Sequence, residues 1–190
     1  MMKSDYLSDK FAAGLSYGEY VATGTAEQQR RWTAVYQAAR LTPGQKELLA
    51  GFVRQMNVLV LSGIWCGDCV QQVPLLARIA EAAQDRIDLR IVDRDLHRDL
   101  ARQVRINGGD RVPVVLLLAE DQELCAIFGD RTLARYRAMA RQQLGPSCPV
   151  GIEAPDGAEL AACLGEWLNE VERVQLMLRL SARLQQRHHD

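Results

Sequence analysis

The sequence predicts an α/β fold in which a βαβ unit is followed by a ββα unit, with further helices at both ends. Short, largely apolar runs at residues 58–61, 89–92 and 114–118 are typical of strands, and the continuous run at 58–61 is typical of a strand buried on both faces. Between the first two runs lies a helix-length segment, and this order predicts parallel strands joined by a helix. The chain has 190 residues, 48% hydrophobic and 25% charged, which excludes a disordered polymer and fits one or two globular domains.

Residues 1–56 are predicted to form a helical extension that packs on the core. Thr25 is suited to cap a helix that carries Trp32 on its apolar face. Thr42 and Pro43 are the preferred residue types for the N-cap and first position of the next helix.

The core is predicted to span residues 57–145. Its predicted elements, in order, are strand 58–61, helix 67–83, strand 89–92, helix 95–106, strand 114–118, turn 120–123, strand 124–128 and helix 132–143. In the second of these helices, Leu96, Leu100 and Val104 are spaced by four residues.

Residues 146–190 are predicted to form a loop and one long helix, the latter over residues 158–186. A heptad-like seam runs along this helix, formed by Leu160, Leu164, Trp167, Val171, Val174 and Leu178. At 1.5 Å per residue, the helix would be roughly 40 Å long, which exceeds the width of a small domain. We therefore expect it to pack on the N-terminal helices, on a second subunit in a homodimer, or on both.

Charge and hydropathy narrow the range of partners and compartments. The net charge is −1, so no general attraction to nucleic acid or an anionic membrane is expected. No window approaches the apolar length of a membrane span, and the first ten residues lack the apolar run of a secretory signal. These features predict a soluble cytoplasmic protein.

The segment Trp65-Cys66-Gly67-Asp68-Cys69 carries the chemistry. It follows a predicted strand and opens a predicted helix, which places Cys66 at the helix N-terminus. Unpaired N–H groups and the helix dipole favour a thiolate there, so Cys66 is expected to have a lowered pKa and to act as nucleophile. Cys69 lies one turn later on the same face and is predicted to resolve the mixed disulfide.

Other interpretations of the cysteines are weaker. A Cys-x-x-Cys pair can be half of a zinc site, but no second pair with ligand spacing exists in the sequence. Cys125 and Cys163 lie in apolar segments and are expected to be packed core residues. Cys148, between two prolines of a predicted stiff loop at residues 145–149, is the best candidate for an additional reactive thiol.

These residues resemble the thioredoxin-like thiol–disulfide oxidoreductases. The segment from Trp65 to Cys69 is similar to the Trp-Cys-Gly-Pro-Cys signature of that family, and Pro74 matches the proline that kinks its active-site helix. Val112-Pro113 opens the third core strand, as the cis-proline pair of the family does, and Gly129 suits a family glycine. The resemblance covers about residues 58–143, and the flanking helices look like the extensions of a bacterial subgroup.

The resemblance implies a thioredoxin-like fold and a role for each site residue. Val112 and Pro113 would hold the loop beside the disulfide, with the Val112 backbone pairing to a bound substrate strand. Trp65 and Gly67 would shape the site. The resemblance implies no bound cofactor and no metal.

Departures from the family pattern lie close to the cysteines. Asp68 stands where the family has proline, and its charge opposes a Cys66 thiolate although it also suits a helix N-terminus. If repulsion prevails, the couple becomes more reducing, so we expect a reductant. The buried Asp of the family is replaced by Val60 and its partner Lys by Leu89, which leaves Asp68 or water as candidate bases for Cys69.

One further departure affects substrate binding. Residues 107–110 lengthen the loop before Val112 by about three positions, and the two glycines there suggest a reshaped substrate groove.

Two functions of different classes are compatible with the sequence. The first is a protein-disulfide reductase that takes electrons from an external reductase or a small thiol and passes them to a disulfide-containing protein. The alternative is a non-catalytic binding or assembly module with the same fold, in which the helical extensions are the working surface and the cysteines are vestigial.

Overall fold

A computed structural model describes residues 2–144 and 159–190 of the chain. The helices in these two ranges are α1 (Ser4–Ala12), α2 (Tyr17–Ala22), α3 (Ala26–Ala38), α4 (Pro43–Ala50), α5 (Gly67–Ala82), α6 (Arg98–Gln103), α7 (Leu133–Leu144), α8 (Glu159–Arg179) and α9 (Ala182–His188). The strands are β1 (Met56–Ser62), β2 (Ile87–Asp93), β3 (Val114–Ala119) and β4 (Leu124–Gly129). No helix in the described ranges combines the length and apolar character needed to cross a bilayer.

The four strands form one mixed sheet with the order β2-β1-β3-β4. β1 pairs in parallel with β2, with Val60 opposite Ile91, whereas β3 pairs antiparallel with both β1 and β4. Every residue of β1 and β3 is buried, so both faces of the central strands are covered by helices. The α/β, thioredoxin-like fold predicted from the apolar runs and the signature residues is confirmed.

The N-terminal helices begin where the sequence indicates. Thr25 and Thr42 cap α3 and α4, and in each case a glutamine three residues later completes a capping box. Between α1 and α2, the backbone of Leu15 exchanges two hydrogen bonds with Ile91, at 2.8 and 2.9 Å, and so protects the free edge of β2. Gly14 permits this approach, because a Cβ there would lie 2.6 Å from the Cβ of Arg90.

The helix predicted over residues 95–106 is much shorter in the structure, where α6 spans only Arg98–Gln103. Its start is delayed because the Asp93 carboxylate accepts a hydrogen bond from the Asp95 N–H at 2.8 Å, which forms a turn and leaves Leu96 83% exposed. Beyond its end, a two-residue turn at Asn107 and Gly108, both with positive φ, closes a small hairpin.

The prediction of one long C-terminal helix is also wrong, because Leu180 and Ser181 separate α8 from α9. Ser181 has extended backbone angles, and the break returns Leu184 to the core, where it is fully buried. The apolar seam of α8 packs against α5, α7 and β3 rather than mainly on the N-terminal helices. The core that lies around the sheet therefore includes α8 as an integral layer, and α5 is held between α3 and α8.

Candidate active site

The two cysteines lie where β1 gives way to α5. After Ser62 the chain turns through residues 63–65, and the Cys66 N–H donates to the Gly63 carbonyl at 2.9 Å. Cys66 is the N-cap of α5, with extended backbone angles, and Cys69 lies in the first turn. Both cysteines are free thiols in this structure.

Cys66 is the accessible thiol of the pair. It is half-buried, and its Sγ donates to the Val112 carbonyl at 3.5 Å. The hydrogen bond from the Cys69 side chain, helped by the backbone N–H groups of Cys69 and Asp68, lowers the pKa of Cys66 to about 6, although burial opposes the change. The shift agrees with the direction predicted for a cysteine at a helix N-terminus, and it leaves Cys66 mostly ionised at neutral pH.

Cys69 has the opposite environment. Its side chain is completely buried, and the Gly63 N–H donates to its Sγ at 3.4 Å. Burial, followed by the interaction with Cys66, raises the pKa of Cys69 well above that of an ordinary thiol. Because the two thiols ionise so differently, one is available for attack while the other stays protonated.

The Val112-Pro113 segment faces the nucleophile across the site. The peptide bond between these residues is cis, and Val112 is nearly buried while its carbonyl accepts the bond from Cys66. Gly129, at the end of β4, packs on this segment, because a Cβ there would lie 2.6 Å from the Pro113 carbonyl oxygen. The backbone beside Cys66 is therefore held from two directions.

Asp68 does not act as the unpaired charge that the sequence suggested. Its carboxylate binds Arg131 at 2.6 Å and Arg135 at 3.3 Å, and all three side chains are largely buried. The repulsion from Asp68 is only a minor influence on Cys66, whose pKa falls in spite of it. Because the two arginines pair with the Asp68 carboxylate, the expectation of a reductant loses this particular basis. The sequence did not indicate the pairing, since both arginines are more than 60 residues away from Asp68.

The other predicted site residues surround the cysteines in different ways. Trp65 is 48% exposed, and the Arg94 guanidinium stacks on its ring at 4.6 Å. Gly67 opens α5 with free space where a Cβ would lie. Val60 and Leu89 are buried apolar residues on β1 and β2.

The two other cysteines that the structure describes lie on different elements from the pair. Cys125 is half-buried on β4, and Cys163 is buried on α8, where it accepts a hydrogen bond from Thr132 at 3.0 Å. Burial raises the pKa of both thiols. The prediction for Cys148 and its loop falls outside the described residues. Within residues 2–144 and 159–190, no three His, Cys, Asp or Glu side chains are grouped as metal ligands would be.

The N-terminal helices contribute residues that sequence reasoning did not assign to the site. Trp32, fully buried on α3, donates its indole N–H to the Ile64 carbonyl at 3.0 Å and so supports the loop before Trp65. Tyr20, on α2, packs edge-on against Trp32 with ring centroids 5.6 Å apart and lies close to Ser62. The apolar spacing indicated that Trp32 is buried, but no sequence signal indicated its contact with the cysteine loop.

The comparisons with known proteins agree with this geometry. A family model described as Thioredoxin matches residues 14–142, and so includes α2, α3 and α4 as well as the segment on which the sequence resemblance rested. A search of curated proteins found no match.

Two solved structures are similar in fold to most of this chain. One is a protein of unknown function from Pseudomonas aeruginosa, 23% identical, with a TM-score of 0.69, where the match covers 92% of this chain and 99% of that one. The other is an HIV epitope scaffold, 21% identical, with a TM-score of 0.66, covering 87% of this chain and 96% of that one. These similarities concern the fold, helical additions included. The family model spans well over half of the sequence, and this chain therefore belongs to the thioredoxin family.

Proposed function

We propose that this protein is a thiol–disulfide oxidoreductase that reduces disulfides in proteins, with Cys66 as nucleophile and Cys69 as resolving cysteine. The observation that carries the proposal is the asymmetry of the pair. Cys66 is accessible, with its pKa lowered to about 6, while Cys69 is sealed beneath it with its pKa raised by burial.

The reaction begins at the accessible sulfur. The Cys66 thiolate attacks one sulfur of a substrate disulfide, a Cys66–substrate bond forms, and the other substrate sulfur leaves with the bonding electron pair and takes up a proton. A thiolate with a pKa near 6 is abundant at neutral pH, so this step needs no separate base.

The second step returns the substrate as a dithiol. Cys69 loses its proton and attacks Cys66, the Cys66–Cys69 bond forms, and the bond to the substrate breaks. The substrate sulfur takes the electron pair and the proton, so the substrate is reduced by two electrons and the protein is oxidised by two. An external reductase or a small thiol would then restore the dithiol.

The surroundings suggest how a protein substrate is held. Val112 lies against Cys66, so an extended substrate segment could pair with its backbone while Trp65 and Arg94 border the same opening. Trp65, Gly67, Val112 and Pro113 would shape the site, and Asp68 would tune it through Arg131 and Arg135.

Insulin reduction by dithiothreitol tests this proposal. We expect the native protein to accelerate the precipitation of reduced insulin chains and Cys66→Ser to lower the rate to the uncatalysed background, because no other described thiol is both accessible and ionised. Cys125→Ser is the matched control and should retain the native rate. An inactive native protein, or an active Cys66→Ser variant, contradicts the proposal, and the former result would favour a binding module.

A further inference from the structure

Two buried hydroxyl groups lie beneath the resolving cysteine. Ser62, the last residue of β1, is fully buried, and Tyr20 on α2 is 2% exposed. Ser62 directly precedes Gly63, whose N–H donates to the Cys69 Sγ at 3.4 Å, and its hydroxyl lowers the pKa of both Tyr20 and Cys69 against the effect of burial. The three groups therefore form one buried polar cluster that links the N-terminal extension to α5.

Neither hydroxyl is satisfied elsewhere. Within the described ranges, the Ser62 Oγ and the Tyr20 phenol oxygen are both buried without a hydrogen-bond partner. A buried hydroxyl without a partner is unfavourable by roughly 1–3 kcal/mol, so both hydroxyls are available to bond a neighbouring group that gains negative charge. The Cys69 sulfur, next to Ser62, acquires a strong demand for hydrogen-bond donors when it ionises.

No charged side chain described near Cys69 is free to stabilise its thiolate, so the two hydroxyls are the candidate donors. Asp68 is tied to Arg131 and Arg135, and the strand position that could bring a buried carboxylate near Cys69 holds Val60. The titratable groups that face the cluster are the Cys66 thiol, Asp93 at the end of β2, and His97, which lines the same cavity as Tyr20. Asp93 and Tyr20 also line a cavity of about 300 Å³ next to Ile64.

We propose that Ser62 and Tyr20 form a hydroxyl pair that stabilises the Cys69 thiolate during resolution. Ser62 donates a hydrogen bond to the Cys69 sulfur, and Tyr20 is a positioning residue that donates to the Ser62 oxygen and so directs the serine proton at the sulfur. This inference rests on the proposed Cys66/Cys69 cycle and assigns to the N-terminal extension a part in its second step.

The hydroxyl pair acts while charge passes through Cys69. As Cys69 gives up its proton and bonds to Cys66, the bond between Cys66 and the substrate breaks, and the departing substrate sulfur receives the electron pair and the proton. The hydroxyls keep their own protons throughout. Their hydrogen bonds lower the free energy of the transient Cys69 thiolate, which is buried away from water.

A limiting amount of an aromatic nitrobenzoate disulfide separates the two steps. With protein in excess, attack by Cys66 releases one coloured thiolate, and resolution by Cys69 releases the second in a slower, unimolecular phase. Following both phases by stopped flow from pH 5 to pH 10 gives one pH profile for each cysteine. Cys69→Ser should lose this unimolecular phase, and any second release that remains should depend on protein concentration, which identifies the native phase as resolution by Cys69.

Tyr20→Phe and Ser62→Ala are expected to change only the second phase. Its pH midpoint should rise by about one unit, because the Cys69 thiolate loses a hydrogen-bond donor. Resolution at neutral pH should slow about threefold to tenfold, since a smaller fraction of Cys69 is ionised but each thiolate is a stronger nucleophile. Because Cys66 no longer carries a charge in the mixed disulfide, the Cys69 pKa is less raised there, and the rates of both variants should approach the native rate toward the alkaline end of the range. The double variant should be no slower than Ser62→Ala, since Tyr20 acts through Ser62.

Tyr17→Phe is the matched control, because Tyr17 is on the same helix and packs on Trp32 but bonds its hydroxyl to the Trp32 carbonyl. It should leave both phases native. The hydroxyl pair alone is overturned if the second phase of Tyr20→Phe and Ser62→Ala keeps the native pH midpoint. This holds both for a native rate and for a rate that is slowed equally at every pH. A native protein that lacks the second phase overturns the proposed cycle as well.

Discussion

Replacing Cys69 by serine is expected to stop turnover while leaving the first attack intact. Cys66 keeps its place at the start of α5, so it still forms a bond with a substrate sulfur. Serine cannot displace the substrate, because an alkoxide is a much poorer nucleophile toward sulfur than a thiolate and is not formed at neutral pH. Insulin reduction should therefore fall close to background, and in the absence of dithiothreitol a covalent complex with the substrate should accumulate.

Mass spectrometry under non-reducing conditions measures this result. We expect an adduct of one substrate chain at Cys66 in Cys69→Ser, which dithiothreitol releases. Cys163→Ser changes another buried cysteine, in α8, and is the matched control that should form no lasting adduct. Turnover at the native rate by Cys69→Ser, or an adduct at a cysteine other than Cys66, would contradict the assigned roles.

Replacing Trp32 by alanine is expected to have the largest effect on stability. Its indole is fully buried among the N-terminal helices and donates to the Ile64 carbonyl. Loss of a buried Trp side chain typically lowers the free energy of unfolding by about 3–5 kcal/mol, which is a large part of the total for a small domain. Urea unfolding measures the change, and a loss below about 1 kcal/mol would show that Trp32 is not a core residue.

A pair of milder substitutions isolates the hydrogen bond. Trp32→Phe keeps an aromatic ring but removes the donor to the cysteine loop, whereas Trp167→Phe removes an indole N–H that has no partner among the described residues. Because it loses this hydrogen bond, Trp32→Phe should have a free energy of unfolding roughly 1 kcal/mol lower than that of Trp167→Phe. Equal unfolding free energies would mean that the Ile64 contact contributes nothing.

Local signals made most of the fold predictable from sequence. Short apolar runs identified the buried strands, and Thr25 and Thr42 marked helix starts that the structure contains. Two helices were predicted too long because apolar spacing says nothing about termination. The turn at Asp93 shortens α6, and the break at Ser181 ends α8, and both depend on contacts that the periodic pattern does not encode.

The candidate site was predictable only along the segment that carries the cysteines. The order strand, Cys-x-x-Cys, helix predicts where Cys66 lies and the direction of its pKa shift. The partners of Asp68 could not be predicted, since Arg131 and Arg135 reach it across the tertiary fold. The same holds for Tyr20 and Ser62, which are far apart in sequence and are brought together because α2 packs on β2, the strand beside β1.

A redox equilibration tests the central claim that Cys66 and Cys69 interconvert between dithiol and disulfide. The native protein is equilibrated with defined ratios of reduced and oxidised dithiothreitol, quenched with acid and alkylated, and its peptides are analysed by mass spectrometry. We predict a two-electron transition in which only the peptide containing Cys66 and Cys69 gains and loses an internal disulfide. Alkylation of both cysteines at every ratio, or a disulfide that joins either of them to another cysteine, would contradict the account.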